Sequence, residues 1–205
     1  ERLVADGVKE VMLLGQNVNS YGITFEPKVS FAQLLQEIEK IEGLERIRFM
    51  TPHPKDLSDE LIEVMSKSKK ICNHIHLPLQ YGSSRLLQKM NRRYTKEEYI
   101  KLYKTIREKV KDCSITTDII VGFPGETDEE FNNTFAGVKV VDFYEMHVFK
   151  YSKRKWTKAE KMDGQVDGNV ALRRSETLIT YAKENKLKFM KKYLGTKQKV
   201  LFELY

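Results

Sequence analysis

The feature that most narrows the fold of this chain is an alternation. Short apolar runs that stop at turn signals take turns with longer segments whose apolar residues recur three and four positions apart. Val8-Lys9-Glu10-Val11-Met12-Leu13-Leu14 runs into Gly15; Arg46-Ile47-Arg48-Phe49-Met50 is stopped by Pro52 and Pro54; His74-Ile75-His76-Leu77-Pro78-Leu79 leads to Gln80-Tyr81-Gly82-Ser83. Ser114 to Val121 ends in Gly122-Phe123-Pro124-Gly125-Glu126-Thr127, and Tyr144 to Tyr151 opens onto a basic loop. Such runs read as strands of a parallel sheet, buried on both faces. Between them, Phe31, Leu34, Leu35, Ile38 and Ile41 keep helical spacing until Gly43, and Ser58 caps a segment holding Leu61, Ile62 and Met65. Thr95 with Glu98, and Thr127 with Glu130, match the capping-box pattern in front of two further helices, the first running to about Lys111. Strands and helices alternating at roughly 30 to 40 residues per unit specify βα repeats, hence an α/β chain.

Composition sets the limits. The 205 residues are 40% hydrophobic, enough for one core, and no apolar run approaches the roughly 18 residues of a membrane span. The first six residues carry charge where a signal peptide stays apolar, and no Met opens them, so a cytoplasmic piece of a longer protein is expected. Cys72 and Cys113 are expected as free, buried thiols. His74-x-His76 places two rings on one strand face, which suits a metal or, as expected here, a hydrogen-bonded pair. The net charge of +7 is uneven: residues 150–199 hold 15 Lys+Arg against 5 Asp+Glu, residues 1–149 hold 21 against 23. That concentration fits a polyphosphate partner or a solvated helix face. A long helix is expected over residues 169–195, and Gln198 to Tyr205 alternate like the first strand of a small β domain.

In parallel βα folds ligands lie beyond the carboxyl ends of the strands. The residues there are Gly15-Gln16-Asn17-Val18-Asn19, Thr51-Pro52-His53-Pro54, Gln80 to Ser83, Gly122 to Glu126, and Tyr151-Ser152-Lys153-Arg154. This set is rich in amides and hydroxyls and poor in acid-base groups, as a site that holds a polar cofactor would be. No hydrolytic triad, Walker loop, dinucleotide fingerprint or zinc spacing is present, so no residue is assigned a catalytic or metal-ligating role.

Four blocks carry a resemblance: Leu13 to Gly22, Ile75 to Gln80, Met90 to Thr95, and Thr116 to Thr127. Together they resemble the radical S-adenosylmethionine (SAM) tRNA methylthiotransferases of the MiaB type over nearly the whole chain. The resemblance implies a partial (β/α) TIM-like barrel over residues 1–195 and the start of a TRAM-like β domain at 196–205. It also implies transfer of a methylthio group to C2 of an adenosine beside the anticodon. The implied cofactors are SAM and a 4Fe–4S cluster, whose C-x3-C-x2-C ligands are absent from this chain and are not replaced by Cys72 or Cys113. The implied partners are a tRNA anticodon stem-loop and a reductant protein. The fragment alone is expected to be inactive, and a non-catalytic RNA-binding module is the competing reading. A different barrel enzyme acting on a phosphorylated metabolite is disfavoured by the missing phosphate loop.

By the same resemblance, Gly15, Gln16 and Asn17 face the methionine part of SAM, Gln80 faces the ribose with Ser83 nearby, and Val121, Gly122, Phe123 and Pro124 pack along the adenine. Arg92, Arg93, Lys150, Lys153, Arg154 and Lys155 combine cations with aromatic surface, a mixture that holds phosphates and stacks on unpaired bases. Tyr81 and Trp156 depart from the family's usual Ser and Gly and would crowd the cofactor or reshape the loop. The first two-thirds of the chain read like the isopentenyladenosine branch. Phe143 to Ser152 and Val200 to Glu203 read like the threonylcarbamoyladenosine branch, so the substrate stays open at this point.

Overall fold

The computed structural model describes residues 1–50 and 53–202; Thr51, Pro52 and the end of the expected C-terminal strand lie outside it. The order is α1 (Arg2–Ala5), β1 (Glu10–Leu13), α2 (Phe31–Glu39), β2 (Arg46–Phe49), α3 (Asp59–Lys67) and β3 (His74–His76). There follow α4 (Ser84–Lys89), α5 (Lys96–Lys109), β4 (Ser114–Val121), α6 (Asp128–Val141), β5 (Glu145–Lys150) and α7 (Gly168–Lys191). Strand β1 pairs in parallel with β2, and β3, β4 and β5 pair in parallel in that order. A bridge joins the two groups: Ile47 donates its N–H to the Lys70 carbonyl at 2.9 Å and accepts from Cys72 at 3.0 Å. The strands therefore curve in sequence order into an open partial barrel.

Local chemistry explains why the elements start where they do. Ser30, Thr95 and Thr127 each accept a hydrogen bond from the backbone three residues on, while Gln33, Glu98 and Glu130 reach back, completing three capping boxes. Along β4 the alternate residues Ile115, Thr117, Ile119 and Val121 are almost wholly buried. They join Ile47, Ile75 and Leu77, together with Leu35, Leu61, Ile62, Val138 and Leu178 of the helices, in one apolar core. Pleating sends the intervening side chains to the other, concave face. That face is polar: Glu10 pairs with Arg46 and Arg48 on one flank, and His74, His76, Thr116, Asp118 and His147 occupy the other.

Helix α7 fixes which end is which. Near its start, Arg174 reaches Glu126 at 2.7 Å and Asp128 at 2.6 Å, just past the carboxyl end of β4. Near its end, Asn185 donates to the Phe143 carbonyl, Lys186 meets Glu145 at 2.6 Å and Lys188 meets Asp142 at 3.6 Å, all at the start of β5. Residues 198–202 form no strand. No helix among the described residues is long and apolar enough to cross a membrane.

Candidate functional site at the carboxyl ends of the strands

The loop after β1 is built by its asparagines. Asn17 donates to Ser20 Oγ at 2.9 Å and to Asp56 Oδ2 at 2.7 Å, and Asn19 donates to the His53 carbonyl at 3.3 Å. The amides thus tie this loop to the turn after β2. Their carbonyl oxygens, Asn17 Oδ1 and Asn19 Oδ1, are buried without a partner among the described residues. Gly15, Gln16 and Leu14 are exposed, and a cleft of about 450 Å³ runs past Met12, Leu14, Gly15, Asn17 and Tyr21. The unpartnered Asn17 oxygen, on a residue that lines this open apolar cleft, suits a ligand carrying an ammonium group and a thioether chain.

Beyond β3 the chain keeps running parallel to β4 as far as Gln80. Gln80 has φ +64°, donates its N–H to the Asp118 carbonyl at 2.8 Å and accepts from Ile120 at 2.9 Å, so it is stitched to β4. Its side-chain amide is bonded to none of the described residues and remains available to a ligand. Ser83 does not face the same way: its hydroxyl caps α4 and donates to Glu130 at 2.8 Å, an ordinary structural role. Tyr94, whose hydroxyl donates to the Pro78 carbonyl at 3.0 Å, is pushed up to about 12 by burial.

The loop after β4 owes its shape to one buried carboxylate. Glu126 Oε2 accepts from the Gly122 N–H at 2.6 Å and from Arg174 at 2.7 Å. Gly122 sits at φ +75°, and a Cβ there would come within 2.7 Å of the Ala171 methyl. Only glycine fits that combination. Phe123 is buried and meets the Tyr151 ring edge-on at 5.3 Å. The loop therefore offers a ligand its backbone and the margin of Phe123 more than a bare ring face.

Neither departure from the family pattern crowds this end. Tyr81 is fully buried beneath the loop, its phenol pushed up by burial and then by the neighbouring Glu126 carboxylate. Trp156 is 94% exposed, on a backbone with φ +71°.

The cations divide. Lys150, Lys153, Arg154 and Lys155 are exposed at the carboxyl end of β5 and form no ion pair among the described residues. Arg92 and Arg93 flank His53 and Tyr94 on the other side, where a cavity of about 270 Å³ is lined by Pro54, Lys55, Arg93 and Tyr94. Lys186 and Lys188, by contrast, are consumed at the opposite end of the sheet by Glu145 and Asp142. The positive C-terminal quarter of the sequence is thus not one surface.

Neither Asp118 nor His147 belongs to the candidate site residues that the sequence motifs single out. In the structure, Asp118 Oδ2 lies 3.3 Å from His76 Nε2 and Oδ1 lies 3.4 Å from His147 Nδ1. Burial alone would raise its pKa, but the His76 imidazole beside it, and then that of His147, holds the carboxyl below its usual range. Burial, then Arg48 and His76, lower the His74 pKa to about 4. His74 and His76 share the Thr116 hydroxyl, at 3.2 and 3.0 Å, as the hydrogen-bonded reading of that pair expects. Cys72 is half-buried on the sheet, Cys113 is buried at the start of β4, and both are free. Among the described residues no three metal-binding groups converge.

Comparison with known proteins follows the same lines. A tRNA-2-methylthio-N(6)-dimethylallyladenosine synthase of Lachnoclostridium phytofermentans is 56% identical over 99% of this chain and 44% of its own length. The synthase of the same name from Caldicellulosiruptor saccharolyticus is 51% identical over 100% of the chain and 44% of its own. The chain thus spans less than half the length of these relatives. Coproporphyrinogen III oxidase from Escherichia coli, described as a radical SAM enzyme, shares the fold with a TM-score of 0.59 at 17% identity, over 75% of this chain and 37% of that one. Residues 1–136 match the Radical SAM superfamily, and with parallel strands curving into an open barrel whose polar loops gather at one end, the chain belongs to that superfamily.

Proposed function

We propose that this chain is the central barrel of a tRNA methylthiotransferase acting on an adenosine that carries an N6-isopentenyl (dimethylallyl) group beside the anticodon. The carrying observation is 56% identity over 99% of the chain to a synthase named for that nucleoside. It favours the isopentenyl branch over the threonylcarbamoyl one. S-adenosylmethionine fits the residues at the strand ends. Gly15, Gln16 and Asn17 would hold its amino-acid end, Gln80 its ribose, and the Gly122 to Pro124 backbone its adenine edge.

When bound to a reduced 4Fe–4S cluster, this cofactor supplies a carbon radical that attacks C–H bonds. The cluster ligands lie outside this chain, so its own residues bind, orient and exclude water. The exposed cations Lys150, Lys153, Arg154 and Lys155 on one side, and Arg92 and Arg93 on the other, would receive the phosphates of an anticodon stem-loop. A reductant protein and a cytoplasmic setting complete this reading. The absence of a convergent metal-binding group among the described residues favours, for the isolated chain, RNA binding without turnover.

Calorimetric titration of the chain with SAM and, separately, with an isopentenylated anticodon stem-loop tests the proposal. Both are expected to bind. Changing Lys153, Arg154 and Lys155 together to Ala should weaken the RNA and lower the slope of log affinity against log salt by about 2, at roughly 0.7 per phosphate contact. An unaltered affinity and slope would remove the basic loop from the RNA surface.

A further inference from the structure

The polar row on the concave face carries a consequence for its most open member. Asp118 is an acceptor on both oxygens, so the ring nitrogens facing it, His76 Nε2 at 3.3 Å and His147 Nδ1 at 3.4 Å, must bear hydrogens. His76 Nδ1 then takes the Thr116 hydroxyl proton at 3.0 Å. The Thr116 oxygen in turn accepts from His74 Nε2 at 3.2 Å. Every donor in this chain of five residues meets an acceptor, and two ring nitrogens are left over: His74 Nδ1, on a largely buried ring, and His147 Nε2, on a side chain 54% exposed and so the one open to a ligand.

We propose that His147 is a specificity-determining residue whose Nε2 accepts the N6–H of the target adenosine, and that Asp118 is its positioning residue, fixing the tautomer. The proposal rests on the function proposed above and deepens it. His147 lies three residues below Lys150 on β5, a depth of about 10 Å at the usual rise of a strand. Phosphates held by the cations at the rim leave one extruded nucleotide to span that depth and bring its base edge to the imidazole. An N6-isopentenyl adenosine keeps a single N6–H, and a site offering one fixed acceptor distinguishes it from an adenosine whose N6 bears no hydrogen.

The test combines two measurements on the chain. Nitrogen-15 NMR of the imidazoles should show His147 with its proton on Nδ1 and a bare Nε2, and Asp118→Asn should mix the tautomers. Affinities are then compared for a stem-loop carrying N6-isopentenyl adenosine and one carrying N6,N6-dimethyladenosine, which has no N6–H. The unmodified chain should prefer the first about tenfold, the scale of one buried hydrogen bond. His147→Phe should lose that preference and His147→Gln, which restores an acceptor, should recover part of it. Free protein with its proton on His147 Nε2 overturns the proposal. So does equal binding of both stem-loops by the unmodified chain, which leaves the RNA-binding function standing. A Nε2 resonance shifted by SAM instead of by RNA assigns the acceptor to the cofactor and overturns it too. Failure of the chain to bind either RNA refutes the proposed function itself and this inference with it.

Discussion

Replacing Arg174 by Leu removes the cation that holds the β4–α6 loop to α7. The Arg174 side chain is 5% exposed, and its main partner, the Glu126 carboxylate, is fully buried. Its second partner, Asp128, is 81% exposed and contributes little. Most of the loss therefore comes from leaving Glu126 as an uncompensated buried charge, which costs about 3–5 kcal/mol. Loss of the contact between the guanidinium and the Phe131 ring, centred 5.5 Å away, adds about 0.5–1 kcal/mol. Urea unfolding at neutral pH is the assay, with thermal melting in support; at about 2–4 °C per kcal/mol for a chain of this size, the midpoint falls by roughly 7 to 24 °C. Glu126→Gln in the Arg174→Leu background should recover part of the deficit, because the orphaned charge is removed while the Gly122 N–H keeps an acceptor. A loss under about 1 kcal/mol for Arg174→Leu, or a double variant no better than the single, would refute the claim that this ion pair shapes the loop.

Further outcomes follow from the same geometry. Gly122→Ala forces a side chain into the left-handed region at φ +75° and onto Ala171 at 2.7 Å. It should cost about 2–5 kcal/mol in unfolding experiments and weaken SAM binding, whereas Gly168→Ala, with open space around it, should do neither. Glu130, opposed by burial but held down by Arg85, Ser83 and the Thr127 backbone, has a pKa of about 2 against an ordinary 4.5. Its stabilisation is present above pH 4.5 and lost as pH falls towards 2, so Glu130→Gln should flatten the acid limb of the stability profile in that window, by about 2 kcal/mol after allowing for screening on the exposed Arg85 side. His74 acts in the same direction over a higher window: its pKa of about 4 lies below the ordinary 6.5, so the unfolded chain takes up the proton first and stability falls as pH drops from 6.5 to 4. His74→Gln should remove that part of the fall, seen as a smaller change in unfolding free energy across the same interval.

Much of the fold was legible because each strand advertises itself locally. Ser114 to Val121 is a run dominated by β-branched residues and closed by glycine, and β4 spans those same residues. The capping residues Thr95 and Thr127 act within three positions of themselves, so their reading needed no tertiary information. Helix α4 escaped notice because six residues with two buried leucines carry too little periodicity to register. Register between distant strands is invisible in one dimension. Asp118 meets His147 only because β4 and β5 pair with those two residues opposite each other, and nothing in either segment announces the partner. Charge along the chain misled for a related reason: the excess over residues 150–199 is continuous in sequence, but α7 carries part of it, Lys186 and Lys188 included, to the far end of the sheet.

The central claim is that the carboxyl ends of the strands, and not the cationic end of α7, form the ligand face. Hydrogen exchange of the backbone, compared with and without an isopentenylated anticodon stem-loop, addresses it directly. Protection confined to residues 91–94, 122–125 and 150–158 is the result this account predicts. Protection centred on residues 183–192, with the strand ends exchanging as before, would contradict it.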